Sequence, residues 1–237
     1  MRLDAYLFDQ RLAQSRNKAS EMIKAGSVFV NGVVERKSSV DVQETDEVVI
    51  ENLTYYVSRS GMKLKGFFGE IKSLHVKDLE CLDIGSSTGG FVEVLLEEGA
   101  KSVSAVDVGS EQLHESLRAN PCVKVFENTD IRAFQPEITY DMVTCDVSFI
   151  GVAQILNDID RLAHKGIIIL FKPQFEVGKE VKRTTKGVVK DASAILRAQQ
   201  KFESVCVTLG WNLIAKNDSL LKGKEGNAET FYYFEKR

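Results

Sequence analysis

The chain has 237 residues, 43% apolar and 27% charged, with a formal net charge of −3. That length suits one medium domain with a small companion, and that balance excludes disordered and fibrous classes. No apolar run approaches the roughly 18–20 residues of a membrane helix; the densest, Ile167-Ile168-Ile169-Leu170-Phe171, stops at Lys172.

The first 25 residues include Arg2, Asp4, Asp9 and Arg11 and lack the apolar centre of a secretion signal, so a cytoplasmic location is expected. Leu3, Leu7 and Phe8 recur at helical spacing. Ser15 then sits as an N-cap for a second helix, Arg16 to Ala25, with Ala19, Met22 and Ile23 on its apolar side. Gly26 fits the left-handed stop at its end. Val28-Phe29-Val30 and Val33-Val34 flank Asn31-Gly32, a strong hairpin signal, and Val48-Val49-Ile50 predicts a last strand. Two helices and a small sheet leave this module little core of its own.

Charge within it is uneven. Between Arg11 and Lys37 the cations Arg11, Arg16, Lys18, Lys24, Arg36 and Lys37 face only Glu21 and Glu35. A clustered cationic face is the footprint of phosphate contact even on a mildly acidic protein. The order of elements resembles the S4 RNA-binding domain, carried by Arg2-Leu3-Asp4, Ser15-Arg16-Asn17-Lys18-Ala19, Ile23, Gly26, Val28-Phe29-Val30-Asn31-Gly32 and Asp46-Glu47-Val48. That resemblance implies contact with folded RNA through Arg2, Arg11, Ser15, Arg16, Asn17, Lys18, Lys24, Arg36 and Lys37. Residues 1–53 are thus expected to form the first domain and 54–60 a short linker, which contains Tyr55-Tyr56-Val57-Ser58.

From residue 61 to 237 strands and helices alternate, the mark of a parallel α/β sheet. The pattern predicts a helix over 63–72, then strands near 81–84, 103–106, 123–126, 142–145 and 167–171. Helices are expected near 91–98, 111–119 and 153–163, a long one over 192–209, and closing strands near 213–217 and 230–234. Residues 173–190 carry glycines and lysines with little apolar periodicity and read as a loop over the site. A second basic run, Arg161 to Lys190, includes Lys182, Arg183 and Lys186.

Leu82-Asp83-Ile84-Gly85-Ser86-Ser87-Thr88-Gly89-Gly90-Phe91 follows an apolar strand and opens a helix. Glycines there let the backbone approach a ligand, and the helix start offers free N–H donors. A dinucleotide site uses the same geometry for pyrophosphate, but Asp83 would repel that group and favour a sulfonium. Asp107 ends the next strand, where a carboxylate can hold ribose hydroxyls, and Asp130 follows the third, within reach of an adenine amino group. The ordered set resembles the S-adenosylmethionine pocket of Rossmann-type methyltransferases. It implies contacts from Asp83, Gly85, Ser86, Ser87, Gly89, Gly90, Phe91, Asp107, Val108, Asp130, Ile131 and Asp146.

Four ionisable residues remain: Lys63 beginning the first helix of this domain, Asp146 ending the fourth strand, Lys172 ending the fifth and Glu229 before the last. Ligands of open α/β sheets bind beyond the carboxyl ends of the strands. The set resembles the Lys-Asp-Lys-Glu tetrad of FtsJ-like ribose 2′-O-methyltransferases. A ribose hydroxyl must lose its proton as it is methylated, and only a neutral lysine can take it. An ordinary lysine, with a pKa of about 10.4, needs burial or neighbouring positive charge to supply that form. Lys172 is the expected base, with Lys63, Asp146 and Glu229 holding it and the ribose in line. No metal is required, and scattered His75, His114 and His164 make a zinc site improbable. Asp146-Val147-Ser148-Phe149 lacks the paired prolines common in methyltransferases that act on amino groups.

At this point the likeness extends over essentially the whole chain. Ser58-Arg59-Ser60-Gly61-Met62-Lys63, Asp107-Val108-Gly109, Asp146-Val147-Ser148-Phe149-Ile150, Lys172-Pro173-Gln174-Phe175-Glu176, Lys186-Gly187-Val188-Val189-Lys190-Asp191 and Gly226-Asn227-Ala228-Glu229 are similar to the TlyA family, also labelled haemolysin A. Ser60, where glycine is frequent, and the lysine-rich Lys222-Gly223-Lys224 depart from its pattern. The resemblance implies a Rossmann-type, S-adenosylmethionine-dependent domain preceded by a small α+β S4-like domain. It implies 2′-O-methylation of a cytidine in ribosomal RNA, with the subtype starting and stopping as this chain does expected to act on the large subunit only. It adds Arg59, Lys182, Arg183 and Lys186 to the RNA contacts. The partner is then ribosomal RNA or a ribosomal subunit, with a monomer as the working expectation. Two rivals stay open: a membrane-acting haemolysin, and an RNA-binding assembly factor whose pocket is idle.

Overall fold

A computed structural model describes residues 1–43, 45–50 and 56–236, and the chain divides into two compact units, Met1–Tyr55 and Tyr56–Arg237. No helix among the described residues is long and apolar enough to cross a membrane.

The first unit runs α1 (Leu3–Asp9), α2 (Arg16–Ala25), β1 (Val28–Val30), β2 (Val33–Glu35) and β3 (Val48–Ile50). Local signals act where they stand in the sequence. Ser15 Oγ accepts the Lys18 N–H at 3.1 Å and caps α2, and Gly26 closes it at φ +82°. Asn31 and Gly32 turn the hairpin at φ +52° and +76°, and the Asn31 side chain clasps Asp46 and the Glu47 N–H, both at 2.9 Å. The three strands pair antiparallel in the order β2-β1-β3. Leu3, Leu7, Ala19, Met22, Ile23, Val28 and Val42 make the core. Phe8, next to Leu7, points away from that face and is exposed.

The second unit is a seven-stranded sheet in the order β6-β5-β4-β7-β8-β10-β9. Its strands are β4 (Glu80–Ile84), β5 (Ser102–Val106), β6 (Val123–Phe126), β7 (Tyr140–Cys145), β8 (Ala163–Phe171), β9 (Trp211–Asp218) and β10 (Thr230–Lys236). The five from β6 to β8 are parallel, while β10 and β9 run antiparallel. Helices α3 (Arg59–Glu70), α4 (Gly90–Glu97), α5 (Glu115–Arg118), α6 (Leu156–Leu162), α7 (Pro173–Glu176) and α8 (Ala192–Thr208) complete it.

Two-residue periodicity explains why both faces are covered. Ile168 and Leu170 of β8 join Phe231 and Tyr233 of β10 in one core cluster, with Leu64 and Phe67 of α3. Ile167, Ile169 and Phe171 join Tyr232 and Phe234 in the other, with Ile159 of α6 and Phe202 of α8. Strands buried on both faces need such continuous apolar runs. The strand order reverses between β4 and β7, so the crevice beyond their carboxyl ends is the natural ligand site.

Several expected elements differ. The helix expected over 63–72 begins at Arg59, which places Lys63 in its second turn rather than at its start. The helix expected over 111–119 shrinks to Glu115–Arg118, because the Glu127 carboxylate takes the N–H groups of Glu111, Gln112 and Leu113 at 2.8–3.0 Å. That expected over 153–163 splits into a 3-10 turn, Val152–Gln154, and α6, with Ala163 already in β8. Glu176 pins the break by accepting the Val152 N–H at 2.7 Å. The loop over 173–190 opens with α7, started by Pro173 at a position that suits its fixed φ.

Residues 54 and 55 of the expected linker lie outside the described residues, as do 51–53 of the expected first domain. The rest of that linker is not a tether. Tyr56 is buried in the second unit's core and donates to Glu97 at 2.5 Å, while the Val57 N–H donates to Glu93 at 2.6 Å.

Candidate active site

The second unit holds a cavity of about 350 Å³ at the crevice its topology predicts. Its walls are the turn after β4 (Ile84, Gly85, Ser87), the end of β5 with Asp107 and Val108, the segment Thr129–Arg132, and Asp146–Ile150 after β7. Asp107 Oδ2 accepts the Ser87 N–H at 2.8 Å and Oδ1 the Gly109 N–H at 2.7 Å, so the carboxylate stitches two turns together. Each oxygen keeps a second lone pair. Asp130 is forked by Arg132, with contacts at 2.5–3.1 Å, and those hydrogen bonds hold its carboxyl down at about 2.

Size and lining fit an adenosyl ligand. The volume falls within the range of roughly 300–1,000 Å³ usual for small-molecule pockets. Val106, Val108, Ile131 and Ile155 offer apolar walls, and Asp107 and Asp130 offer acceptors. Gly85, at φ +78°, lets the turn close against Asp146, whose carbonyl oxygen lies 3.1 Å from where a Cβ would stand.

Of the residues expected at the cofactor, Gly85, Ser87, Asp107, Val108, Asp130, Ile131 and Asp146 line this cavity; Asp83, Ser86, Gly89, Gly90 and Phe91 do not. The physical reasons differ. Gly90 lets α4 meet α3, since a Cβ there would stand 2.7 Å from the Gly61 nitrogen. Phe91 is 2% exposed and stacks on Phe231 in the core. Gly89 turns the chain into α4 at φ +100°, against Leu113 and Leu117, and Ser86 is buried with its N–H on the Val106 carbonyl. Asp83 is enclosed, accepts a hydrogen bond from Thr144 at 2.7 Å, and is pushed up to about 7 by burial, with Asp146 and Asp107 adding to the rise.

Beside the cavity the four residues of the expected tetrad form two ion pairs. Lys63 Nζ meets Glu229 Oε2 at 2.6 Å, both nearly buried. Lys172 Nζ meets Asp146 Oδ1 at 2.6 Å, again with little exposure. Asp146 also feels the charges of Lys63 and Glu229, so the pairs are neighbours with no net charge between them. Burial drives the Asp146 carboxyl above the usual carboxylate range, against the pull of Lys172. Lys63 reaches this place from the buried face of α3, one turn before Phe67. Asp146 and Lys172 follow the carboxyl ends of the adjacent parallel strands β7 and β8, and Glu229 precedes β10, which runs the other way beside β8.

Residue-type reasoning missed several wall residues. Ser148 accepts a hydrogen bond from Lys172 Nζ at 2.8 Å. Phe149 stands at the rim, 91% exposed and with φ at +70°, a strained conformation for a bulky side chain. Gln112, Thr129 and Arg132 also line the walls. The signal for the first two lay in the family-like segment Asp146-Val147-Ser148-Phe149-Ile150, which adjoins Asp146.

The expected RNA contacts sort by what else they do. In the first unit Arg2 and Arg16 both engage Asp4, at 3.0 and 3.3 Å, and the Arg2 hydrogen bonds help hold that carboxyl at about 2. Ser15 is spent as a cap, and Arg36 donates to the Lys24 carbonyl at 3.1 Å. Lys18 lies 3.6 Å from Glu21. Arg11, Asn17, Lys24 and Lys37 are exposed. In the second unit Lys182 and Lys186 are exposed, and exposed Arg59 donates to the Lys222 carbonyl at 3.4 Å. Arg183 is half-buried, and its guanidinium donates to the carbonyls of Gln174, Val177, Gly178, Lys179 and Val181, which ties the loop together.

Comparison with known proteins gives concordant matches. A family model described as FtsJ-like methyltransferase matches residues 56–236, and an S4 domain model matches residues 1–48. The 23S rRNA (cytidine-2′-O)-methyltransferase TlyA of Campylobacter jejuni is 48% identical, with 99% of both chains covered. The 16S/23S rRNA (cytidine-2′-O)-methyltransferase TlyA of Mycobacterium tuberculosis is 40% identical over 98% of this chain and 88% of that protein. A solved structure from Streptococcus thermophilus, described as a candidate hemolysin, is 32% identical with a TM-score of 0.73, covering 100% of this chain and 88% of that one.

Proposed function

The chain belongs to the TlyA family of FtsJ-like methyltransferases, and on that premise we propose that it moves a methyl group from S-adenosylmethionine to the ribose 2′-hydroxyl of a cytidine in large-subunit ribosomal RNA. The observation that carries this reading is the pair of neighbouring buried ion pairs, Lys172–Asp146 and Lys63–Glu229, at the edge of a cavity suited to an adenosyl group. When bound, the cofactor supplies a methyl carbon on a positively charged sulfur, already reactive toward a hydroxyl.

The protein's part is then to bind, align and deprotonate. Asp107, whose oxygens each keep a lone pair, would hold the adenosyl ribose, while Asp130, its oxygens engaged by Arg132, would line the adenine side of the cavity. Asp146 orients Lys172, and Glu229 orients Lys63, so that both amines have a fixed place beside the ribose. Fixed orientation next to an activated methyl group can account for much of the acceleration. Lys172, in its neutral form, accepts the hydroxyl proton.

The large-subunit assignment follows the more similar relative named above, whose name specifies 23S rRNA. Such a substrate places the activity in the cytoplasm. The S4-matching segment, with exposed Arg11, Lys24 and Lys37, supplies phosphate contacts to folded RNA.

The test incubates purified protein with ribosomal particles and cofactor carrying a labelled methyl group, then maps 2′-O-methylated nucleotides. Label on a cytidine ribose of 23S rRNA is expected, and Lys172→Ala should abolish it while changing cofactor affinity by no more than a few-fold. Label on a base, or wild-type turnover from Lys172→Ala, overturns the reading.

A further inference from the structure

We propose that Ser148 is a proton relay, so that the ribose hydroxyl is deprotonated by the Ser148 oxygen and its proton equivalent arrives on Lys172; this rests on the methyltransferase reading above.

The accessible geometry favours the serine over the lysine. Lys172 is only 8% exposed and is absent from the cavity wall, whereas Asp146 and Ser148 belong to that wall and Ser148 is exposed. At the edge of the cavity the exposed serine oxygen is therefore more open to an incoming hydroxyl than the shielded Nζ. The two are already joined, with Ser148 Oγ 2.8 Å from Lys172 Nζ.

The donor and acceptor inventory around Nζ points the same way. Ser148 Oγ at 2.8 Å and the Asp146 carbonyl at 3.5 Å accept hydrogen bonds from it, and Asp146 Oδ1 sits in ion-pair contact at 2.6 Å. A neutral amine carries one lone pair, and a proton can reach that lone pair through a neighbour only if the neighbour turns round and donates. A carbonyl cannot donate, and an ionised carboxylate cannot either. The Ser148 hydroxyl can, by rotating about its C–O bond. In the reactive state its proton lies toward Nζ, and its own lone pairs are open to the cavity.

The step balances. The O2′–methyl bond forms as the methyl–sulfur bond breaks, with that electron pair going to sulfur. The 2′-hydroxyl proton passes to Ser148 Oγ while the Ser148 proton passes to Nζ. Serine ends unchanged, and Lys172 ends as an ammonium beside Asp146, to be discharged to solvent before the next turnover.

Single-turnover transfer should be followed with ribosomal particles for the wild type, Ser148→Ala, Ser148→Thr and Lys172→Ala, together with cofactor affinity by calorimetry and thermal melting. Ser148→Ala is expected to slow transfer by about 100-fold, the scale of a missing proton-transfer partner, with cofactor affinity within a few-fold of wild type and no loss of melting temperature. Ser148→Thr, which keeps the hydroxyl, should recover most of the rate. In mixtures of light and heavy water the wild-type rate should curve as two protons in flight require, and that of Ser148→Ala should follow a straight line. A Ser148→Ala rate equal to wild type, or a Ser148→Thr rate no better than Ser148→Ala, overturns the relay. If Lys172→Ala is inactive in that case, the base assignment survives it; if Lys172→Ala is active as well, both fall.

Discussion

The two units handle charge in opposite ways. In the first, cations sit on a module whose core is seven small or medium side chains, and they stay in contact with water. Even its tightest cluster, Asp4 with Arg2 and Arg16, leaves both arginine side chains more than half exposed. In the second, two full ion pairs are sunk beside a sheet whose faces carry two large apolar clusters. Removing ions from water costs several kcal/mol each, and only the larger core can offset that. Recognition of phosphate needs the first arrangement; controlled proton transfer needs the second.

The sharpest way to break this contrast is to delete one partner from each kind of pair. Glu229→Gln strands the Lys63 charge in a buried place and should cost about 3–5 kcal/mol in denaturant unfolding, along with most of the activity. Arg2→Met leaves Asp4 with Arg16 and should barely move the unfolding midpoint, because solvent screens the exposed pair it removes. Equal losses would mean that burial does not separate the two units.

Next in size is the pH response of a buried acid without a cationic partner. Burial raises Asp83 to about 7, so the folded chain holds this proton more tightly than the unfolded chain does. Its stabilising contribution is complete below pH ~4 and disappears as the pH rises through about 7. Measured against Asp83→Asn, wild-type stability should therefore fall between pH 4 and 8, by on the order of 4 kcal/mol at most. Asp4, held at about 2 by the Arg2 hydrogen bonds, has the opposite sign: its contribution is present above pH ~4 and is lost only as the pH falls toward 2. A flat difference between wild type and Asp83→Asn would show that Asp83 is solvated.

How far these features could be read from residues alone depends on how local their causes are. The Ser15 cap, the Gly26 stop and the Asn31-Gly32 turn act within a few residues of their own positions, and the structure has each where the sequence has it. The alternation in β8 and β10 is equally local. The shortened α5 is different, because a carboxylate from Glu127 captures amides 14–16 residues earlier. No helical periodicity over 111–119 could register that. Within the candidate site, the tetrad was legible as a pattern of residue types, but its division into two pairs was not. Gly90 and Phe91 adjoin the glycine turn that signals a cofactor, and the packing they provide, Gly90 where α4 meets α3 and Phe91 in the core, left no separate mark in the sequence. Ser148 stood within the family-like segment Asp146-Val147-Ser148-Phe149-Ile150, but nothing in that segment told its contact with Lys172 from an ordinary serine after a strand end.

A smaller effect distinguishes two cations of one loop. Arg183 donates to five carbonyls, so Arg183→Ala should loosen residues 174–190 and speed their amide exchange, with only a small loss of overall stability because those hydrogen bonds are exposed or half-buried and water can replace the guanidinium. Lys186→Ala, on the same loop but exposed, should leave exchange unchanged. Identical exchange patterns in the two variants would mean that Arg183 does not tie the loop together.

The smallest structural effect should accompany a clear binding effect. Lys24 and Lys37 are exposed on the first unit, so Lys24→Ala with Lys37→Ala should leave melting unchanged. Lysines that neutralise phosphates act by releasing counterions, and each lysine–phosphate pairing removed should flatten the slope of log affinity against log salt by about 0.7–0.9. The double variant is thus expected to bind ribosomal RNA several-fold more weakly at low salt, with the deficit narrowing as salt rises. A deficit that stays constant across salt would mean that these lysines work through shape or packing. The contrast between exposed recognition charges and buried catalytic ones would then fail at its first unit.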